Sequence, residues 1–318
     1  MRRPTLSPPA YRRITFVALL ALVVIIVTGG AVRLTGSGLG CPDWPTCAKN
    51  RVVAPWEYHA MVEFVNRTIT GLVSVAVILA VLGSLLRVPK RRDLVWLSVG
   101  LVGGVVGQIV LGGLTVLFKL RPGFVMAHFL LSMVLLTNAV VLHHRAGRPA
   151  GPTRPAVGDD LLTLGRLGVA AAALVVFLGT VVTSSGPHGG DEKAERLPFL
   201  LSDVTRLHGV AVMIFLSIVL VTLWRLRKDG APAGLMRRAE VLLAVLVAQG
   251  ALGYLQYFTG VPAVLVGFHI LGATTVWVAV LRFHLAFSVP DQARATGPEG
   301  HKPDGDSVEP SSAALSTR

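Results

Sequence analysis

The length, composition and charge of the chain restrict its class before any motif is considered. It has 318 residues, of which 53% are hydrophobic and only 15% are charged, and its mean hydropathy is +0.65. This composition excludes an ordinary soluble globular domain and is typical of an integral membrane protein. The formal net charge of +13 comes without a basic stripe interleaved with aromatic residues, so we do not expect nucleic acid as a partner.

Eight apolar runs are each long enough to cross a hydrocarbon core of about 30 Å. They predict an all-α, polytopic membrane protein with eight transmembrane helices. The first run follows two arginine pairs, as the core of a signal peptide would. The VRLTGSGLG that follows it has no clear small-x-small cleavage site, which favours a retained helix. The runs lie near residues 14–32, 62–86, 94–118, 124–142, 161–183, 203–224, 239–258 and 261–284.

The positively charged residues between these runs predict the orientation of the helices. If the N-terminus is inside, the cytoplasmic segments carry most of the Lys and Arg residues of the loops. Such residues are enriched on the cytoplasmic side of membranes. We therefore expect both termini in the cytoplasm and a multi-pass protein of the plasma membrane, with the lipid bilayer as its surroundings.

The two cysteines of the chain, Cys41 and Cys47, lie together in CPDWPTC after the first run. The predicted topology places this loop outside, where an oxidising environment allows a disulfide. A structural staple and a redox role are both open for this pair. Two thiols without a nearby pair of histidines are too few for a structural zinc site.

An internal duplication relates the two halves of the chain. Gln108 begins QIVLG and is followed twenty residues later by His128, and Gln249 begins QGALG and is followed twenty residues later by His269. The TGSG after the first helix likewise resembles the TSSG after the fifth. A unit of four crossings enters the membrane the same way round in both copies, which predicts a parallel repeat about an axis along the membrane normal. Paired sites, one in each half, follow from such a repeat.

The duplication and the changes in composition predict five segments. Beyond residue 288 the chain is rich in Pro, Gly, Ser and charged residues, a composition typical of disorder. The segments are a cytoplasmic N-terminus (1–13), an N-terminal four-helix half (14–144), a cytoplasmic linker (145–160), a C-terminal four-helix half (161–287) and a disordered cytoplasmic tail (288–318).

Three histidines share one depth on the even-numbered helices. His128, His208 and His269 lie five to seven residues from the predicted outer ends of their helices, roughly 7 to 11 Å below the outer surface at about 1.5 Å per residue. A single buried histidine is as easily explained by a hydrogen bond to a neighbour as by a function. Three in one layer favour a cofactor site, because facing imidazoles in a bundle core are a usual way to hold a haem iron.

The two halves differ in how completely they can build such a site. His208 and His269 form a candidate axial pair in the second half. In the first half, the position opposite His128 is Asn66, a poor iron ligand, so that site has one strong axial ligand and one weak or open position. His59 lies two turns before Asn66 and is too near the surface to replace it.

The residues also resemble those of the haem A synthase family, over essentially all eight predicted helices. The resemblance is carried by VRLTGSGLGCPDWPTC after the first helix, EFVNR at the start of the second, TSSGPHGGD after the fifth, and the histidines of the fourth, sixth and eighth. It implies a membrane oxidoreductase that converts the C8 methyl group of haem O to the formyl group of haem A, for cytochrome oxidase. A haem O synthase and an electron-transfer protein are the partners that this activity would imply, and an oligomer is compatible with it.

The resemblance also implies roles for individual residues. His208 and His269 would hold the iron of a haem b cofactor, and His128 would hold the iron of the substrate haem. Glu63 matches the essential acid of the family, and the Cys41–Cys47 pair matches a cysteine pair of many bacterial members. The chain departs from the family at Asn66, where better-known members have a histidine, which makes the second axial ligand of the substrate haem uncertain.

Several alternatives remain open from the sequence. Glu63 could be a catalytic acid or simply an ion-pair partner of Arg67 four residues later. Arg67 could balance that charge or meet a propionate of the substrate haem. For the whole protein, a bis-histidine cytochrome b that only carries electrons would explain His208 and His269, and a small-molecule transporter would explain the duplication.

Overall fold

The computed structural model describes residues 5–48 and 52–291. Eight α-helices and two short strands are found in these two ranges. The helices are α1 (Pro8–Leu34), α2 (Tyr58–Leu86), α3 (Arg92–Leu117), α4 (Pro122–Ala146), α5 (Asp159–Ser185), α6 (Leu201–Lys228), α7 (Ala233–Phe258) and α8 (Ala263–Leu285), and the strands are β1 (Thr153–Pro155) and β2 (Ser288–Pro290).

All eight predicted transmembrane helices are confirmed, and each is long and apolar enough to cross a membrane. Seven of them begin two to six residues before the predicted run, and α8 begins two residues after it. In α1 the side chain of Ser7 accepts a hydrogen bond from the Ala10 N–H, with prolines in the first helical positions. In α5 the acidic Asp159 and Asp160 occupy the first turn, where the helix dipole favours negative charge.

The helices pack as two closed rings of four. Each of α1–α4 contacts its neighbours in the chain, and α1 closes the ring on α4; α5–α8 pack in the same way, with α5 closing on α8. Contacts of α1 with α8, α4 with α5 and α4 with α8 join the rings. A two-fold duplication would produce this pattern, although the duplication itself stays a prediction.

The interface between the rings is filled by buried apolar side chains and one indole. Trp277 of α8 donates its Nε1–H to Thr137 Oγ1 at 3.0 Å and lies 3.3 Å from the Met133 carbonyl oxygen on α4. Around it are fully buried aliphatic residues, among them Leu136 and Val280. Large apolar residues on the outside of the helices are exposed in contrast, as a lipid-facing surface requires.

The ends of the helices define two faces of the molecule. We call the face that carries the α1–α2 and α5–α6 loops the cysteine end, and the opposite face, where α1 begins and α8 ends, the termini end. At the termini end, residue 6 pairs with the segment after α2 through backbone hydrogen bonds from Leu6 N to Leu86 O and from Val88 N to Leu6 O.

The start of the predicted tail is wrong by a few residues. β2 pairs antiparallel with β1, with Arg154 opposite Val289, and the Arg148 guanidinium donates to the Ser288 carbonyl. Backbone pairing and an arginine clamp thus order residues whose composition predicted disorder. The rest of that tail (292–318), residues 1–4 of the predicted N-terminus and residues 49–51 of the first loop lie outside the described ranges.

Candidate functional site

His128, His208 and His269 occupy equivalent places in α4, α6 and α8. Each lies six or seven residues from the first residue of its helix, at the cysteine end. Each imidazole also lies against a glycine of the preceding helix. A Cβ added to that glycine would lie 3.2 Å from Cε1 of His128 for Gly112, 3.3 Å from Cε1 of His208 for Gly179 and 3.1 Å from Cε1 of His269 for Gly253. Only a residue without a side chain lets the rings take these positions undisturbed.

In α3 and α7, a glutamine four residues before the glycine bonds the helix to the next one. Gln108 Nε2 donates to the carbonyl oxygen of His128 at 3.1 Å, and Gln249 Nε2 donates to that of His269 at 2.9 Å. Because the spacing of four residues puts Gln and Gly on one face of the helix, the amide holds the backbone of the histidine while the glycine accommodates its ring. The motifs QIVLG and QGALG were visible in the sequence, but their role in seating the histidines was not predicted.

One ring nitrogen of each of these histidines is left without a partner. The Nδ1 atoms of His128, His208 and His269 are buried and have no hydrogen-bond partner. Buried polar atoms are normally satisfied, so these nitrogens favour a ligand-binding role over that of ordinary hydrogen-bonded core histidines. They fit the axial ligands of a haem, which is the group that the sequence predicts here.

The second half carries two of these rings on helices that lie diagonally across it. His208 of α6 and His269 of α8 are at similar depths from the cysteine end, and α6 and α8 are separated by α5 on one side and α7 on the other. In the described part of the chain no three His, Cys, Asp or Glu side chains cluster as a site for a free metal ion. A haem needs no such cluster, because the porphyrin supplies the equatorial ligands and the protein only the axial ones.

Asn66 of α2 adds a fourth polar group near the same depth. It lies eight residues from the first residue of α2, and its side-chain Oδ1 is buried without a hydrogen-bond partner. The amide is therefore available for a ligand, as the imidazoles are. An amide oxygen accepts hydrogen bonds well and binds iron poorly, so a role beside the substrate haem suits it better than axial ligation.

Glu63 and Arg67 form the ion pair that the sequence left as one alternative. Arg67 donates to Glu63 Oε1 through Nη2 at 2.6 Å and through Nε at 3.1 Å. The other oxygen of Glu63, Oε2, accepts the backbone N–H of Cys41 at 2.8 Å. Glu63 is only 5% exposed and the Arg67 side chain is 25% exposed, so the carboxylate is shielded from water while the guanidinium is partly solvated.

The same pair holds the loop of residues 35–48, which we call the cysteine loop. Arg67 donates to the carbonyl oxygens of Cys41 at 3.2 Å, Asp43 at 3.2 Å and Thr46 at 3.0 Å. Its donors are thus directed at Glu63 and at the loop backbone, and not toward an open surface. This anchoring was not predicted, because a sequence does not show which carbonyls an arginine will reach.

The cysteine loop is itself tightly constrained. The Sγ atoms of Cys41 and Cys47 lie at disulfide-bonding distance, 2.01 Å, and both residues are buried. Gly40 packs on the backbone of α2, where an added Cβ would lie 2.1 Å from the His59 carbonyl oxygen. The imidazole of His59 is hydrogen-bonded to Ser37, with 2.9 Å between His59 Nδ1 and Ser37 Oγ.

The two loop motifs, VRLTGSGLGCPDWPTC (32–47) and TSSGPHGGD (183–191), pack against each other. In the cysteine loop, Gly38 donates its N–H to the Gly190 carbonyl oxygen of the α5–α6 loop at 2.8 Å. Gly190 has φ +96°, a conformation that glycine adopts without strain. Arg33, at the end of α1, donates to the Thr183 carbonyl oxygen at 2.5 Å. The motifs are therefore one structure that joins both rings at the cysteine end.

Comparison with known proteins identifies the family of the chain. Residues 12–187 match the COX15-CtaA family, described as cytochrome oxidase assembly protein. The Heme A synthase of Symbiobacterium thermophilum is 31% identical over 280 residues, which cover 79% of this chain and 88% of the relative. That of Halalkalibacterium halodurans is 26% identical over 264 residues, covering 78% and 85%. That of Methylobacterium radiotolerans is 33% identical over 176 residues, covering 51% and 47%. Since the family match extends over more than half of the chain, this protein belongs to the haem A synthase family of cytochrome oxidase assembly proteins.

Proposed function

We propose that this protein is a haem A synthase, which oxidises the C8 methyl group of haem O to a formyl group and so supplies haem A to cytochrome oxidase. The observation that carries the proposal is the layer of three imidazoles whose Nδ1 atoms are buried and unpartnered, in a chain of this family. A transporter would not require these orphaned rings.

His208 and His269 are the residues that would hold a resident haem b. Their positions on the diagonally opposite helices α6 and α8, and the glycines Gly179 and Gly253 beside their rings, support this assignment. When bound there, the haem would supply one-electron chemistry, which is what an oxidation of the substrate haem requires.

His128 is the residue that would hold the iron of the substrate haem. Gln108 and Gly112 seat its ring as Gln249 and Gly253 seat His269. Asn66 would face the substrate from α2, where its Oδ1 can accept a hydrogen bond from water or from a hydroxyl group. A single strong axial ligand leaves the other face of the iron accessible.

Glu63 remains the predicted essential acid, and its hydrogen bonds support a positioning role. Both of its oxygens are engaged, one by Arg67 and one by the Cys41 N–H. Through them the carboxylate fixes the cysteine loop on α2, a few residues from Asn66. We further propose that Cys41 and Cys47 are joined by a disulfide, on the outside of the plasma membrane, with both termini in the cytoplasm.

Haem extraction tests the proposed function. Cells that express this chain together with a haem O synthase should contain haem A, identified by chromatography of extracted haems, and the His128→Ala variant should leave haem O unconverted. An electron-carrying cytochrome b would give a low-spin haem spectrum and no haem A, and a transporter would give neither. Absence of haem A with the protein folded and its haem bound would refute the proposal.

A further inference from the structure

Two arginines share a small pocket at the cysteine end, between the rings of helices. Arg33 comes from the last turn of α1, and Arg196 comes from the α5–α6 loop. Val125 of α4 and Ser184 of α5 also line this pocket. It therefore takes its walls from both halves of the chain, at the place where the two loop motifs meet.

In the described ranges the positive charge of this pocket is only partly balanced. Arg33 and Arg196 both line it, and neither forms an ion pair with a carboxylate there. Glu195 also lines the pocket, but its carboxylate is exposed and lies 3.7 Å from Arg121.

The hydrogen-bonding capacity of Arg33 is also incompletely used. Its Nη2 donates to the Thr183 carbonyl oxygen, and its Nε is buried without a partner. Arg196 donates to the Pro187 carbonyl oxygen and packs on Gly189.

An unpartnered buried donor on a cation is costly. The pocket, of about 10 Å³, holds no more than one water molecule, so a carboxylate would enter it by displacing the exposed side chain of Glu195 and would then remove the cost. Guanidinium groups suit planar carboxylates in particular.

The position of the pocket indicates which carboxylate it would take. Val125 precedes His128 by three residues, so the two share a face of α4, with the pocket about one turn nearer the cysteine end. A haem whose iron is held by His128 could direct its carboxylate edge toward this end of the bundle. Arg67 is the other arginine that could bind a propionate, but its donors are already bonded to Glu63 and to the cysteine loop.

We propose that Arg33 and Arg196 form a carboxylate-binding site that recognises a propionate of the substrate haem and thereby sets its orientation at His128. The inference rests on the proposed function and adds positioning residues to it. Because the pocket belongs to both loop motifs, recognition of the substrate would also depend on the contact between the two halves.

Binding of haem O and of its dimethyl ester to the purified protein, with the resident haem in place, tests this site. Absorption titration should show that the wild type binds haem O about tenfold or more tightly than the ester, the scale of a lost charged hydrogen bond. Arg33→Gln and Arg196→Gln should each weaken binding of haem O toward that of the ester and leave binding of the ester unchanged. Arg206→Gln removes an exposed arginine of α6 and should behave as the wild type.

The outcomes separate the inference from the function on which it rests. Retention of the full preference for haem O in both glutamine variants would overturn the site. If the variants change the reduction potential of the resident haem but keep the preference for haem O over its ester, the arginines act on the resident haem, and the proposed site is also overturned. If the wild type binds haem O without preferring it over the ester, the inference alone fails, whereas a wild type that binds neither form contradicts the proposed function. The content of resident haem shows that each variant is folded, and Arg196, which is not part of a helix, provides the test if Arg33→Gln does not fold.

Discussion

At the scale of single residues, the glycines beside the histidines are as informative as the histidines. Gly253 lies against Cε1 of His269, and the distance of 3.1 Å to an added Cβ is shorter than ordinary van der Waals contact. A methyl group there must displace the ring that is proposed to hold iron. The glycine therefore limits where the His269 ring can lie.

The Gly253→Ala variant should disturb the resident haem. We expect a lower haem content or a changed low-spin spectrum, because the imidazole of His269 has to move by a few tenths of an ångström. Absorption and electron paramagnetic resonance spectra of the purified protein measure this change. Gly250→Ala is the matched control, since a Cβ at this position on the same helix meets nothing within 4 Å. Identical spectra for the two variants would contradict the role given to Gly253.

The ion pair of Glu63 and Arg67 makes a second prediction at this scale. If Glu63 acts by positioning the cysteine loop, Glu63→Gln and Arg67→Gln should lower haem A formation to a similar extent, and the double variant should be little worse than either. Breaking a fully buried pair costs roughly 3 kcal/mol; because Arg67 is partly exposed, the cost here is smaller, and each single variant should still unfold at a lower temperature. Full activity of Arg67→Gln beside an inactive Glu63→Gln would instead indicate that the carboxylate acts directly on the substrate.

At the scale of elements, the loops at the cysteine end pack closely against the helices, which the hydropathy of the chain does not predict. Gly40 approaches α2 so closely that an added Cβ would lie 2.1 Å from the His59 carbonyl oxygen. A backbone atom cannot move aside as the end of a flexible side chain can. The cysteine loop and the first turns of α2 are therefore fitted to each other.

The Gly40→Ala substitution should detach the cysteine loop from α2. We expect faster proteolysis within residues 35–48 and loss of haem A formation, while the resident haem of the second half stays bound. Limited proteolysis with mass spectrometry follows the loop, and the haem spectrum follows the second half. Gly71→Ala on α2 serves as the control, because its Cβ would meet nothing within 4 Å. Proteolysis at the same rate in both variants would refute this packing.

Sequence reasoning succeeded for features set by the membrane and missed features set by contacts between distant segments. The hydrocarbon core imposes helix length, so apolar runs alone predicted α1 to α8. The depth of His128, His208 and His269 followed from counting residues along those runs. The anchoring of the cysteine loop by Arg67, the pairing of β2 with β1 and the glycines beside the rings all join residues that are far apart in sequence. Their signals, such as QIVLG and QGALG, became interpretable only with the neighbouring helix in place.

At the scale of the whole molecule, the two rings of helices predict two haem sites that can be emptied separately. His208→Ala should remove the low-spin spectrum of the resident haem and leave binding of added haem O intact, because His128 lies in the other ring. His128→Ala should do the reverse. Haem content and absorption titration of the two variants measure this independence. Loss of both haems in either variant would show that the sites form one cooperative unit.

The packing around Trp277 has a consequence for how the two sites can communicate. The indole N–H is taken up by Thr137 and the Met133 carbonyl, and the neighbouring Leu136 and Val280 are apolar and buried. The indole lies eight residues along α8 from His269, and Thr137 lies nine residues along α4 from His128, so this contact ties together two helices that carry site histidines. A displacement of one of these helices would therefore be passed to the other through packed side chains.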